Sequence, residues 1–316
     1  MLISPFKLRD LGMLGMNCRN RDFIGRYNRR ELYPLVDNKL ETKLLAQDYD
    51  VATPQLRFVV REQHEIVHIE QQLRDLKGFA IKPAKGSGGK GIWVITHRQD
   101  ANFIKSSGAE ITLNDIRRHM SNTLAGLYSL GGVSDEVIVE DLIEIDDCFE
   151  GYSFEGVPDI RIVVFRGFPV MAMLRLATHA SDGKANLHQG AVGVGLDLAT
   201  GRCLNAVQYG MPISEHPDTK QPLKEIKIPG WQGMLTLASR CYDMTGLGYI
   251  GADLVLDANR GPELLELNAR PGLAIQVANG FGLLPRLRHV EKLSEKKFAN
   301  ADARVAYVMQ NFAKFD

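Results

Sequence analysis

Three oxygen-bearing side chains in the C-terminal third could hold a hard cation. Over residues 262–268, read as a strand, successive side chains alternate faces, so Glu266 and Asn268 share one face while Leu265 and Leu267 share the other. The preceding run Gly251-Ala-Asp253-Leu-Val-Leu supplies Asp253, and the stretch Asp257-Ala-Asn-Arg-Gly261 between the two is good turn chemistry. If the strands pair through that turn, two carboxylates and an amide oxygen converge. That donor set suits Mg²⁺ or Mn²⁺ held together with substrate phosphates. A solvated strand face with turn-capping Asp and Asn would give the same pattern. The continuation Ala269-Arg270-Pro271-Gly272 ends the strand sharply and adds a cation just beyond it.

A second feature is the loop Lys82-Pro-Ala-Lys85-Gly86-Ser87-Gly88-Gly89-Lys90-Gly91. It contains GxGxxG, yet a strand-like GIWVI follows it where a dinucleotide fold needs a helix, and Lys90 is followed by Gly91 where a P-loop needs Ser or Thr. What remains is strand, glycine-rich loop, strand. Glycines let backbone N–H groups approach phosphate oxygens with no Cβ in the way, and Lys82 could meet the phosphates as a point charge. A surface hairpin with solubilising lysines is the plainer alternative. Between these two features, Asp159 and Arg161 alternate along PDIRIVV, and Arg175 closes VMAMLRL. An arginine on an apolar strand is costly unless paired. It therefore signals either an anionic ligand or a structural ion pair.

The elements that must position these groups read as follows. Helical spacing runs from Pro34 to about Gln47, ended by Thr53-Pro54, and a second helix covers Arg61 to Leu76. Strands at Phe79–Lys82 and Gly91–Ile95 flank the loop; a helix spans Asn114 to Leu130 and a strand Glu136 to Ile143. PDIRIVVFRG and FPVMAMLRLAT form a hairpin turning at Arg166-Gly167. Gly230 to Met244 is helical, two strands follow around the 257–261 turn, and LPRLRHVEKLSEKKFA is a polar helix. The first thirty residues, rich in Asn, Arg and Gly, read as irregular structure with a basic face. Helices mixed with antiparallel hairpins predict an α+β fold.

Composition bounds the rest. The 316 residues carry 38 Lys plus Arg against 38 Asp plus Glu, so no bulk field argues for nucleic acid or an anionic membrane. Four scattered cysteines, Cys18, Cys148, Cys203 and Cys241, share no CxxC spacing and exclude a disulfide scaffold or a structural zinc site. No apolar h-region opens the chain and no run approaches the ~18 to 20 apolar residues of a membrane span, so the expectation is a cytoplasmic protein.

Taken in order, DNKLETKLLA with the following TP, IKPAKGSGGKGI, VIVEDLI, DIRIVVFRG, ANLHQG, GADLVL and ELNARPGL resemble the ATP-grasp superfamily of ATP-dependent carboxylate–amine ligases. Within it they resemble the ribosomal-protein glutamate ligases and the alpha-L-glutamate ligase-like proteins. The likeness covers Val36 to Leu284. It implies an ATP-grasp fold of two α+β lobes with ATP between them. Residues 1–34 would then be an N-terminal arm or a remnant of the domain that usually precedes the ATP-grasp fold, which is missing or truncated here. Residues 35–142 would form the small lobe, with its flap at 78–143, and residues 143–316 the large lobe with metal and acceptor sites. The resemblance places Lys43 and Lys82 near the phosphates, with Gly86, Ser87, Gly88, Gly89 and Gly91 closing over them. Glu140, Asp141 and Leu142 match the edge that reads adenine, Asp159 an acid on the ribose side, and Lys184 and Asn186 a phosphate-side segment. Asp253, Glu266 and Asn268 match the ligands of two Mg²⁺ or Mn²⁺ ions. Arg175 and Arg270, and more distantly Arg161, match positions that meet the transferred phosphoryl or the acceptor carboxylate. Lys90 is an additional cation in the flap.

The implied chemistry transfers the ATP γ-phosphoryl to a carboxylate, and an amine then displaces phosphate from the acyl phosphate to leave an amide or peptide bond. Such a transfer needs positioning and charge neutralisation more than a protein nucleophile. His179, His188 and His216 are each either an amine base or a solvated loop histidine. The implied reaction adds an amino acid such as glutamate to a peptide or small acceptor. Two alternatives stand beside it: a catalytically impaired ATP-binding partner protein, and a ligase whose acceptor site a second protein or a second copy completes. In the latter, the basic arm Arg19, Arg21, Arg26, Arg29 and Arg30 would be the interface.

Overall fold

Alternating polar and apolar residues build two antiparallel sheets, each belonging to its own compact unit. The computed structural model describes residues 4–86 and 88–314. The smaller unit comprises Asn38–Lys43 and Pro54–Ile143; the larger comprises Met1–Asp37, Leu44–Thr53 and Glu144–Asp316.

The smaller unit contains β1 (Leu56–Val60), β2 (Phe79–Pro83), β3 (Trp93–Gln99), β4 (Asn102–Lys105), β5 (Glu110–Ile111) and β6 (Val137–Asp141), ordered β1-β6-β2-β3-β4-β5. Phe79 and Ile81 of β2 and Val137 and Val139 of β6 point to one face. There they pack with Ile116, Met120 and Leu124 of the helix Leu113–Leu124 and with Ile69 and Leu73. That helix starts on a capping box in which Thr112 and Asp115 exchange side-chain and backbone bonds. On the opposite face Ala84 and Ile138 meet Leu40. The expected helix from Pro34 is broken: Pro34–Asp37 and Lys39–Ala46 are separate, because Asn38 turns its Oδ1 onto the Leu40 N–H at 2.9 Å and acts as a cap. The helix expected over Arg61–Leu76 contracts to a 3₁₀ stretch, Gln63–His68, and a short helix, Ile69–Leu73, preceded by β1, which the sequence reading did not distinguish.

The larger unit holds β7 (Asp159–Phe165), β8 (Phe168–Leu176), β9 (Val192–Leu196), β10 (Cys203–Gln208), β11 (Met211–Pro212), β12 (Tyr249–Asp257) and β13 (Gly261–Asn268) in the order β11-β10-β9-β8-β7-β12-β13. The β7–β8 hairpin turns at Arg166-Gly167, both with positive φ, as the sequence predicts. Register decides which side chains share a face. Asp159 lies opposite Arg175, Arg161 opposite Met173 and Asp253, and Asp253 opposite Glu266. The intervening Ile160, Ile162, Leu174 and Ala252 are fully buried in the apolar core, which the helices Trp231–Thr245 and Ala301–Asn311 complete. This last helix, over residues the sequence reading left unassigned, follows a polar helix shortened to Leu284–Glu291. The N-terminal arm is not irregular. It coils through helical turns over residues 16–27 and sinks Phe23 against Phe165 and Tyr249. Asn28 ties it down by donating to the Tyr249 and Ala269 carbonyls. Among the described residues no helix is long and apolar enough to cross a membrane.

Gly195 of β9 lies opposite Met173, and a Cβ there would come within 2.6 Å of the Ala278 carbonyl oxygen. The helix Ala274–Asn279 therefore rests directly on the β9 backbone, fixed by an Asn279 bond to the Ala172 carbonyl at 2.9 Å. Gly195→Val should lower the unfolding free energy by about 1–3 kcal/mol, the usual cost of overpacking. Urea denaturation measures this, and unchanged stability would refute the close approach.

Candidate functional site

In the smaller unit the chemistry gathers on the sheet face opposite the Phe79–Val139 core. Lys82 leaves β2 there, Glu140 leaves β6 beside it, and Lys43 reaches in from Asn38–Lys43. Glu140 is 3% exposed and accepts from both ammonium groups: Lys82 Nζ at one oxygen, Lys43 Nζ at the other, 3.0 Å away. Lys43 also donates to the Pro54 carbonyl. Burial by itself would raise the Glu140 carboxyl, but Lys82, then Lys43, outweigh it and hold it below the ordinary carboxylate range. Two ammonium groups brought to one buried carboxylate are also the kind of cation that a phosphate takes as a point charge.

The loop beyond Lys82 is tethered at both ends. Asp135 accepts the Lys85 N–H at 2.9 Å, Gly86 bridges Ser129, and Lys39 Nζ donates to the Gly86 carbonyl at 2.6 Å. Gly88 and Gly89 are exposed, have positive φ and have nothing within 4 Å of where a Cβ would stand. Gly91, also at positive φ, lies against the Tyr128 ring. Ser87 lies outside the described residues. Asp141 pairs in a fork with Arg57, and its backbone N–H donates to the Gln55 carbonyl. Leu142 packs within 2.6 Å of the place a Gly78 Cβ would occupy.

In the larger unit Asp159, Arg161, Arg175 and Asp253 meet on the polar face of the sheet. Arg161 holds Asp253 with two bonds at 2.7 and 2.6 Å. Arg175 grips Asp159 through both Nε and Nη2, and its Nη2 reaches Asp253 at 2.8 Å. Burial pushes the Asp159 carboxyl up to about 6 against the pull of Arg175. For Asp253 burial acts the same way, but Arg161 and then Arg175 overcome it and hold the group at about 2. Despite desolvation, both guanidiniums are held above their usual range, Arg161 by Asp253 and Arg175 by Asp159. The sequence left open whether these arginines serve a ligand or an ion pair; here they form a buried four-membered charge array.

Asp253 and Glu266 face each other directly across the ladder, and Asn268 lies opposite Gly251, two positions along the same strand. A bulge at this point skips Leu265. Both Asp253 oxygens take guanidinium bonds, and Asn268 Oδ1 accepts the Arg270 N–H at 2.8 Å. Among the described residues no group of three or more His, Cys, Asp or Glu is gathered as a ready-made metal cage. A carboxylate and an amide oxygen on one strand nevertheless fit Mg²⁺, which keeps several waters and takes one or two carboxylates plus phosphates. Arg270 stacks its guanidinium 4.9 Å over the Tyr33 ring, and Arg19 of the arm donates to the neighbouring Pro271 carbonyl at 2.8 Å. Lys184 pairs with Asp182 at 2.8 Å on the surface, and Asn186 caps the turn Leu187–Gln189. His216 is buried against the Ala177 carbonyl, and His179 stacks on Phe154. His119, which holds the Gly91 carbonyl, went unnoticed in the sequence; its only signal is a polar residue on the apolar side of the helix Leu113–Leu124.

Glu140→Gln removes the carboxylate that the two buried ammonium groups share and should cost about 3–5 kcal/mol at pH 7. Because the folded carboxyl titrates below its ordinary 4.5, this contribution is complete above pH 4.5 and lost as pH falls through the folded value. The gap between wild type and E140Q in denaturant unfolding should therefore close in acid. A constant gap would show that the charge is not what stabilises.

The search for related curated proteins finds no match. Among solved structures the chain is similar to the ATP-grasp ligase PsnB complexed with its minimal precursor, at 14% identity and a TM-score of 0.44 over 89% of this chain. It spans 62% of the length of that protein. It is similar to D-alanyl-alanine synthetase A from Vibrio cholerae O1 biovar eltor at 13% identity and a TM-score of 0.46, over 89% of this chain and 67% of that one. D-cycloserine synthetase DcsG gives 14% identity and a TM-score of 0.47, over 90% and 82%. One family model, described as sugar-transfer associated ATP-grasp, matches residues 18–292. The order of sheets, glycine loop and charged ladder thus has its family: this chain has the ATP-grasp fold and belongs to the sugar-transfer associated ATP-grasp family.

Proposed function

We propose that the protein is an ATP- and Mg²⁺-dependent carboxylate–amine ligase that forms an amide bond through an acyl phosphate. The observation that carries this is the buried Lys43–Glu140–Lys82 cluster, two ammonium groups on one carboxylate, beside a glycine loop with no Cβ to block an approaching phosphate at Gly88 and Gly89. Lys43, Lys82 and the amides of Gly88 and Gly89 would bind the triphosphate, and Asp141 and Leu142 would border the adenine. Glu266 and Asn268 would hold Mg²⁺, with Asp253, held by Arg161 and Arg175, directly across the ladder from Glu266. Bound there, Mg²⁺ supplies charge neutralisation on the transferring group.

The carboxylate oxygen attacks the γ-phosphorus, ADP leaves, and the amine then attacks the acyl carbon with loss of phosphate. Arg175 and Arg161, kept protonated and aimed by Asp159 and Asp253, would stabilise the charge that develops on the transferring phosphoryl and later on the oxyanion. Arg270, stacked on Tyr33, would take a substrate carboxylate. The motif likeness to glutamate ligases supports an amino acid such as glutamate as the amine. The family's description supports testing sugar-linked acceptors beside peptides.

ADP release with and without a panel of amino acids, peptides and amino sugars tests the reading. Acceptor-stimulated turnover is expected, whereas ATP-dependent thermal stabilisation without turnover under any acceptor would point to a binding protein. Glu266→Ala should abolish Mg²⁺-dependent turnover while unfolding at the wild-type denaturant midpoint, and normal activity in it would remove the metal assignment. Arg175→Lys keeps one charge but loses the planar fork, and kcat should fall by about 10²-fold or more.

A further inference from the structure

The far end of the glycine loop is held by a histidine that plays no part in the site so far. His119 is 2% exposed. Its ring lies flat on the Trp93 indole, centroids 3.9 Å apart and planes within 8°, and Lys105 Nζ stands 4.6 Å from the same indole. His119 Nε2 is 2.9 Å from the Gly91 carbonyl oxygen, and Nδ1 is 3.3 Å from the Tyr128 hydroxyl. A carbonyl only accepts, so Nε2 carries the proton and Nδ1 receives the hydroxyl. Burial pushes the ring down to about 4, so the neutral form, with one donor and one acceptor, is the one present at pH 7. Tyr128 completes the grip: Gly91 has a φ of +75°, and a Cβ there would stand 2.5 Å from the tyrosine ring.

The near end of the loop is tied to the same scaffold, through Asp135 and Ser129, which follow the helix that carries His119. This matters for binding. Amides that cradle a phosphate contribute most when their placement is settled beforehand, because ordering each residue at the moment of binding costs about 1–2 kcal/mol. We infer that His119 is a positioning residue for nucleotide binding: by holding the Gly91 carbonyl, it fixes where the amides of Gly88, Gly89 and Gly91 meet the phosphates. This rests on the ATP-dependent activity proposed above.

The test uses the full-length chain. His119→Phe keeps an aromatic ring on Trp93 and removes the donor; His119→Gln returns an amide N–H near the place of Nε2. Two readouts are needed: KM for ATP and kcat in the ADP-release assay, and amide hydrogen exchange at residues 88–91. In H119F the KM for ATP should rise about tenfold, the worth of one buried hydrogen bond, with kcat nearly unchanged. Exchange at residues 88–91 should quicken, and H119Q should recover both. A purely structural role would lower kcat and thermal stability together without changing the KM for ATP. H119F with wild-type KM and wild-type exchange overturns the inference while leaving the ligase reading intact. A wild-type chain with neither ATP-dependent turnover nor stabilisation overturns the ligase reading, and the exchange comparison then decides alone whether His119 holds the loop. Should H119F fail to fold, H119Q is set against His119→Asn, whose amide stops short near Nδ1. KM should be raised only in the Asn variant, and equal values would overturn the inference.

Discussion

Charge inside a protein must be answered by charge, and both units are organised around that requirement. Glu140 can be buried because two ammonium groups reach it, and Asp253 because two guanidiniums do. Neither arrangement would form without the two-residue alternation of antiparallel strands, which sends Ile160 and Ile162 into one layer and Asp159 and Arg161 into the other. The same alternation separates Phe79 and Ile81 from Lys82. The hydrophobic layers stabilise the sheets, and the sheets in turn fix the spacing at which the charges meet.

Such pairing also shapes reactivity. A guanidinium gripped on two sides keeps its proton and its direction, so Arg175 presents a fixed planar edge. The lysine pair behaves differently. Its one carboxylate is shared between two ammonium groups, one at each oxygen.

Much of this was legible in the sequence where the signal is local. The β7–β8 hairpin, the 257–261 turn, the helix Trp231–Thr245 and the strand bearing Lys82 all follow from alternation, glycine and turn chemistry over a few residues. Short or edge strands such as β4, β5 and β11 were not, since their polar composition matches that of loops, and β9 reads VGVGL, in which glycine dilutes the strand signal. The arm was misread for a related reason: its helical turns depend on burying Phe23 against Phe165, a partner 142 positions further on (165 − 23). At the site, types and faces were readable but partners were not. Opposition of Asp253 to Glu266 follows from a turn four residues away; the fork from Arg161 to Asp253 needs a pairing between strands about 90 residues apart, which no pattern announces. His119 shows in the sequence only as a polar residue on an apolar helix side, because its meaning comes from Trp93 and Gly91, and only the folded sheet sets them beside it.

The division of the chain between the units has a consequence for its synthesis. All strands of the smaller unit lie within residues 56–141, so its sheet can be complete once that stretch has left the ribosome. The arm cannot complete its contacts until Tyr249 and Ala269 emerge, because Asn28 bonds to both of their carbonyls. Phe23, which packs on both Phe165 and Tyr249, is therefore fully covered only after that later stretch has followed it.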